Sequence, residues 1–244
     1  MAVGGSELRR TTVVRAVKAY AAGPRLSQEQ EKPPTAAARP SPRPPLVARP
    51  KQLSVTEIEH WLRDPYTIYA KHVLKLTPLD EIDTAPGASD RGTLIHDSIG
   101  EFAKPYADKM PADPVAKMRE IGERHFQPLA DFPEARAFWW PRFLRIAEWL
   151  AGFETARRAR LSALHAEIGG SIPIPFGDSE FKLTVRADRI ECLSDGRYAI
   201  LDYKTGTPPT EKQVRTGLSP QLTLEAAILR QGGFKAIPAG TTVD

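Results

Sequence analysis

Between Leu183 and Lys204, two β-like segments flank the run Leu193-Ser194-Asp195-Gly196-Arg197. A three-residue loop, Ser194 to Gly196, sets glycine at the left-handed position that such a loop requires. Closing it with the pair Leu193–Arg197 fixes the register, so that opposed residue numbers sum to 390. Asp188 then faces Asp202, and Arg186 faces Lys204. Side chains repeat with period two along a strand, so all four share one face. A two-residue turn would shift the sum to 391 and send the two aspartates to opposite faces.

Opposed residues have Cβ atoms about 5 Å apart, and like charges at that distance destabilise a sheet. Either one carboxyl is protonated or a cation lies between them. Oxygen donors dominate this region, which favours a hard divalent ion, Mg²⁺ or Mn²⁺. Lys204 lies two residues beyond Asp202, on the same face. Its ammonium can orient a water or offset charge on a phosphate. A cation, carboxylates and a lysine together are parts of a phosphodiester-hydrolysing site.

The rest of the chain frames this hairpin. Residues 6–22 read as a short basic helix, and 23–51 carry 8 of the 23 prolines, the composition of an extended linker. A compact domain is expected from residue 53 to 244, with 1–52 as a largely disordered tail. Ser54-Val55-Thr56-Glu57 is a capping box opening a helix to about Arg63. Asp64-Pro65 opens a second one. A polar loop over 81–90 leads to helices over 91–107, 113–127 and 134–161. In the last, Trp139, Trp140, Phe143, Ile146, Trp149, Leu150 and Phe153 form an apolar stripe, expected to be core. Residues 164–176, 180–192 and 197–204 are β-like. A helix follows from Pro220-Gln221 to about Arg230, stopped by Gly232-Gly233, with one more strand possible at 234–243. The chain ends where a further strand could still be needed. The expected class is α/β: a small mixed sheet flanked by helices, with a helical N-terminal part.

Composition removes several alternatives. Cys192 is the single cysteine, so a disulfide framework and any zinc or iron–sulfur site built from cysteines are excluded. No apolar run reaches membrane-spanning length, and no secretory leader pattern opens the chain. Arg9, Arg10 and Arg15 give a transit-peptide flavour that no cleavage pattern supports. The net charge of +4 resides in the tail: residues 1–50 hold 9 Lys and Arg against 3 Asp and Glu, whereas the remainder holds 25 against 27. Overall basicity is therefore no argument for nucleic-acid binding, which must rest on a site.

Three strings carry a resemblance: GTLIH at 92–96, RADRI at 186–190 and DYKTG at 202–206. In this order they resemble the PD-(D/E)XK nucleases of the RecB type, which adopt the restriction-endonuclease-like fold. Pro220-Gln221-Leu222 opens the helix that carries the glutamine motif of that family. Two departures stand out. Valine or arginine replaces a glycine common upstream of Asp188, and Glu225 replaces a later aromatic. The resemblance covers roughly residues 53–235. Its best likeness is to the nuclease region of proteobacterial AddB-type subunits, which act in double-strand break repair. Some relatives hold a four-cysteine iron–sulfur cluster there; here Asp64-Pro65-Tyr66 stands at the corresponding place and no cluster is expected. No phosphate-binding G-x-x-x-x-G-K-[ST] loop exists, so no ATP site belongs to this chain.

The resemblance implies roles. Asp188 and Asp202 are metal ligands, joined by His96 and by the backbone carbonyl of Tyr203, with Glu167 as an outer ligand through water. Lys204 positions water or offsets charge, and Gln221 orients Lys204 or a DNA phosphate. The implied activity is Mg²⁺- or Mn²⁺-dependent DNA hydrolysis, as an exonuclease acting on a single strand from an unwound duplex. An AddA-like helicase–nuclease subunit is the implied partner, and the bacterial cytoplasm the implied location. Two other readings stand beside it: a catalytically silent DNA-gripping or subunit-docking scaffold of the same fold, and a stand-alone exonuclease of the CRISPR-associated kind. Against the last stand the missing cysteines and the proline-rich tail.

Overall fold

The computed structural model describes residues 41–79, 84–106 and 108–243. The predicted helix over 6–22, the linker up to residue 40 and residues 81–83 of the predicted polar loop lie outside the described residues. All elements that follow belong to the unit Pro44–Asp244. They are β1 (Gln52–Ser54), α1 (Val55–Arg63), α2 (Pro65–Ile68, continued by a π-helical turn Tyr69–Val73), α3 (Ala88–Ala103), α4 (Pro114–His125) and α5 (Pro133–Arg158). Then come β2 (Leu161–Phe176), β3 (Ser179–Leu193), β4 (Tyr198–Leu201), α6 (Glu211–Arg215) and α7 (Gln221–Arg230).

Local chemistry accounts for most of the boundaries. The Ser54 hydroxyl accepts from the Glu57 N–H at 3.1 Å, and the Glu57 carboxylate accepts from the Ser54 N–H at 3.0 Å. That is the reciprocal capping box the sequence predicts. Asp64 caps α2 through the Tyr66 N–H, with Pro65 at the first helical position. The loop predicted over 81–90 is shorter than expected, because α3 already begins at Ala88, where the Asp90 carboxylate reaches back to the Gly87 N–H at 2.7 Å.

The sheet is mixed. β3 is its spine, paired antiparallel along its length with β2. Its other edge is shared. β1 pairs parallel with it from Gln52↔Lys182 to Ser54↔Thr184, and β4 pairs antiparallel from Arg189↔Leu201 to Cys192↔Tyr198. Every β3–β4 pair sums to 390, the register that the three-residue turn predicts, and Gly196 at its tip has φ +82°. The extra strand considered at 234–243 reduces to two isolated bridges, Gly170↔Phe234 and Tyr198↔Val243.

Two apolar cores flank this sheet. One joins α3, α4 and α5 through Ile99, Phe102, Ile121, Phe126, Phe143 and Leu150. The other packs α1 and α7 on the strands through Val55, Leu183, Val185, Ala187, Ile190, Ile228 and Phe234. Ala187 and Ile190 share that second core although they lie three residues apart. Strict alternation would put them on opposite faces. The alternation therefore breaks between them, at Asp188. On β2 the partner level is Glu167, which is missing from the ladder although the pairs on either side of it keep one register, and Glu167 has φ +52°. The unpaired level therefore coincides with the break in alternation on β3, and the pairing register is kept across it, as at a local bulge.

Candidate metal and catalytic site

The β3–β4 ladder stops at Arg189↔Leu201, one step short of the predicted Asp188–Asp202 pair. The predicted Arg186–Lys204 pair does not form either. Arg186 bonds Glu167 at 2.7 Å, and Lys204 lies with Asp202 and Gln221. The reason is local. In an antiparallel ladder, hydrogen-bonded and non-bonded pairs alternate. Leu193 donates to Arg197 at 2.8 Å, so the next bonded levels are those of 191, 189 and 187. The N–H that would continue the ladder at the 187 level belongs to Tyr203. It instead donates to the Asp188 carboxylate at 2.9 Å. A side chain thus replaces the backbone acceptor, β4 parts from β3, and the carboxylates sit at an open sheet end.

Around Asp188 three groups gather. His96, on α3, lies with Nε2 2.8 Å from Asp188 Oδ1 and 3.8 Å from Glu167 Oε1. One ligand atom from each of His96, Glu167 and Asp188 lies within 4.8 Å of the others. Gly100, one turn further along α3, makes room for this: a Cβ there would stand 2.9 Å from the Glu167 carboxylate. The left-handed backbone at Glu167 is unfavourable for a residue with a Cβ and is held by this packing and by Arg186. The hydrogen bond to Asp188 pushes the His96 imidazole up to about 9 against the opposing effect of burial, with Asp188 and Glu167 adding charge attraction. Two carboxylates here draw a positive charge, and two oxygen donors with one imidazole suit a divalent cation.

A second knot lies beside the first. Lys204 Nζ meets Asp202 Oδ1 at 3.0 Å and Oδ2 at 2.7 Å. It also donates to Gln221 Oε1 at 3.1 Å, while Gln221 Nε2 donates to Asp202 Oδ1 at 2.9 Å. Asp202 thus stands with Lys204 and Gln221 rather than inside the His96–Glu167–Asp188 group. Tyr203 links the knots: its N–H serves Asp188, and its hydroxyl accepts from Arg189 at 3.0 Å.

Two residues of the site escape the sequence argument. Glu225 appears there only as a departure from an aromatic, yet it lies buried one turn after Gln221 and accepts from its amide at 3.2 Å. Its second oxygen has no hydrogen-bond partner among the described residues. Burial, reinforced by Asp202 and Asp188, pushes its carboxyl up to about 7 despite the Gln221 bond. The i, i+4 spacing from Gln221 was the available signal. The other is Arg189, fully buried and bonded to Glu154, to Glu191 at 2.7 Å and to Tyr203. Burial disfavours its charge, and Tyr203, Glu154 and Glu191 more than restore it. In the sequence it reads as one more strand arginine.

The expectation of a buried stripe on α5 also needs correction. Trp139, Phe143 and Leu150 are core, but Trp149 is 59% exposed. Its ring stacks on Phe153, with centroids 5.1 Å apart, at the mouth of a cleft. The apolar arc of α5 is wider than the surface its neighbours cover.

Comparison with known proteins agrees with this geometry. The profile of the PD-(D/E)XK nuclease superfamily matches residues 52–243. An uncharacterized protein of Rickettsia bellii is 34% identical over 185 residues, 76% of this chain and 22% of its own length. Uncharacterized proteins of Rickettsia conorii and Rickettsia typhi are 34% and 33% identical. The chain thus spans about a fifth of the length of the relatives it matches.

Proposed function

Because the chain belongs to the PD-(D/E)XK nuclease superfamily, we propose that it hydrolyses DNA phosphodiester bonds with Mg²⁺ or Mn²⁺, as an exonuclease acting on single strands. We place it in double-strand break end processing of the AddAB type, beside an AddA-like helicase–nuclease subunit in the bacterial cytoplasm. What supports the chemistry is one juxtaposition: a carboxylate–imidazole group able to hold a cation lies next to a lysine, with Tyr203 joining them. What supports the larger setting is the likeness of the motif strings and the greater length of the relatives.

In this reading His96, Glu167 and Asp188 would hold the ion, with Asp202 and the Tyr203 carbonyl as the further ligands that the motif implies. A bound ion acidifies water and screens the non-bridging phosphate oxygens. Lys204 supplies a positive charge to the phosphate, positioned by the Gln221 carbonyl oxygen. Gln221 is in turn held by Glu225. The Tyr203 N–H fixes the Asp188 carboxylate without competing for its second oxygen, which faces His96. The test is incubation of the purified chain with end-labelled single- and double-stranded DNA in Mg²⁺, in Mn²⁺ and in EDTA. Cleavage dependent on the ion and faster on single strands is the expected result. Intact DNA under all three conditions, from a folded protein, overturns the proposal.

The protonation of His96 gives a second test. Its pKa is raised to about 9, so below that pH the imidazole carries the proton that an arriving ion must displace. Mn²⁺ affinity measured by calorimetry is expected to strengthen as pH rises from about 6 to 8, by about tenfold per unit if one proton is released. His96→Asn is expected to flatten that slope. A wild-type affinity that ignores pH contradicts a ligand role for His96.

A further inference from the structure

Four side chains on α5 follow the spacing of one helical face: Phe138, Arg142, Arg145 and Trp149. Steps of 4, 3 and 4 residues bring them within about 60° of one another around the axis. All four are exposed, Phe138 at 71% and Trp149 at 59%. The stripe reads ring, cation, cation, ring and runs about 16 Å along the helix. Its Trp149 end, together with Arg142, opens into a cleft of about 720 Å³ that Asp202, Tyr203 and Lys204 also line. Across that cleft stands Arg91, on α3. Neither Arg91 nor Arg142 has an ion-pair partner among the described residues. Trp149 is braced from behind: Phe153 stacks on it, and the Arg157 guanidinium sits 5.6 Å from the Phe153 ring centre.

Singly exposed rings are ordinary, but Trp149 joins Phe153, Ile146 and Leu222 in a cleft rimmed by arginines, the kind of apolar patch that marks a ligand site. The occupant must therefore present flat apolar faces to Trp149 and Phe138, negative charge to the arginines, and continuity with a phosphate at Lys204. An unpaired strand of DNA meets all three requirements, because every base has a stacking face and every linkage a charge. In a duplex those faces are hidden. We infer that the Phe138–Trp149 stripe of α5 is the track for single-stranded DNA, with an unpaired base stacked on Trp149 next to the scissile phosphate. This rests on the nuclease reading and adds to it the source of single-strand preference.

The experiment measures binding rather than cleavage, by fluorescence anisotropy in EDTA at fixed low salt, with the full chain. Two labelled probes of equal length and charge are compared: oligo(dT), and an abasic strand with the same phosphates. The variants are Trp149→Leu, which keeps apolar contact with Phe153 but removes the ring, and Trp149→Phe, which retains a ring. Since Trp149 is exposed, both should fold, with circular dichroism and melting temperature as the check. Trp149→Leu is expected to weaken oligo(dT) binding by about tenfold, the scale of losing one stacked base. Trp149→Phe is expected to recover most of it, and abasic binding is expected to stay unchanged throughout. Parental oligo(dT) affinity in Trp149→Leu, or equal loss on both probes, overturns the inference. Metal-dependent cleavage on the same preparation keeps the two ideas separate. Cleavage without the stacking signature rejects the track alone, and the signature without cleavage rejects the catalytic reading alone.

Discussion

Asp188→Asn is expected to lower DNA cleavage by about 10²–10³-fold or more, the usual scale for removing one electrostatic group that acts on the transition state. The substitution is close to isosteric. An amide oxygen can still accept from the Tyr203 N–H, so the strand end should keep its shape. What disappears is the charge that faces His96 at 2.8 Å and completes the one three-residue group among the described residues that could hold a metal ion. Lys204→Ala separates the two halves of the site. It removes the ammonium from Asp202 and Gln221 while leaving His96, Glu167 and Asp188 in place. Metal binding should therefore survive and cleavage should not, whereas Asp202→Ala is expected to impair both. Gel assays of cleavage and calorimetry with Mn²⁺ read the two quantities independently. Parental cleavage by Asp188→Asn, or metal affinity lost along with cleavage in Lys204→Ala, would contradict this division of roles.

Arg189→Met is expected to destabilise the fold by about 3 kcal/mol, because breaking a buried ion pair strands charge that cannot reach water. Arg189 lies between Glu154 of α5 and Glu191 of its own strand, and both carboxylates are buried. Arg157 and Arg158 still touch Glu191 and Glu154, which keeps the loss at the lower end of the usual range. For a domain of this size the melting temperature should fall by roughly 6–12 °C. Adding Glu154→Gln should return part of the stability, since one stranded charge is then gone. A melting temperature within about 2 °C of the parent, measured by calorimetry, would mean that the cluster contributes little. Cleavage should drop more than the folded fraction explains, because Arg189 also holds the Tyr203 hydroxyl.

Short-range chemistry made much of this molecule legible in the sequence. The hairpin register followed from one glycine and the loop length around it, and the helix starts at Ser54 and Asp64 followed from their capping side chains. The residues gathered at the open end of the sheet could be named in advance because their strings are distinctive. Long-range effects were not legible. β1 has three residues, too few for a period, and its partner lies about 130 positions away. The break in alternation at Glu167 and Asp188 follows from packing against α3, which no local pattern encodes. The exposure of Trp149 depends on how far α3 and β4 extend along α5, and the burial of Arg189 depends on an acid contributed by another element.

The matched irregularity of β2 and β3 bears on how such a centre can be moved to another scaffold. Each half of the sheet is ordinary alone, and what makes the pocket is that both strands change sides together. Deleting or regularising one of the two positions would not merely blunt the site. It would turn the side chains beyond it to the other face, taking Ile190 out of its core and parting Arg189 from Glu154. Grafting Asp188 without Glu167 should therefore give a protein that misfolds rather than one that is simply inactive. Transplantation must carry the two strands as a single cassette.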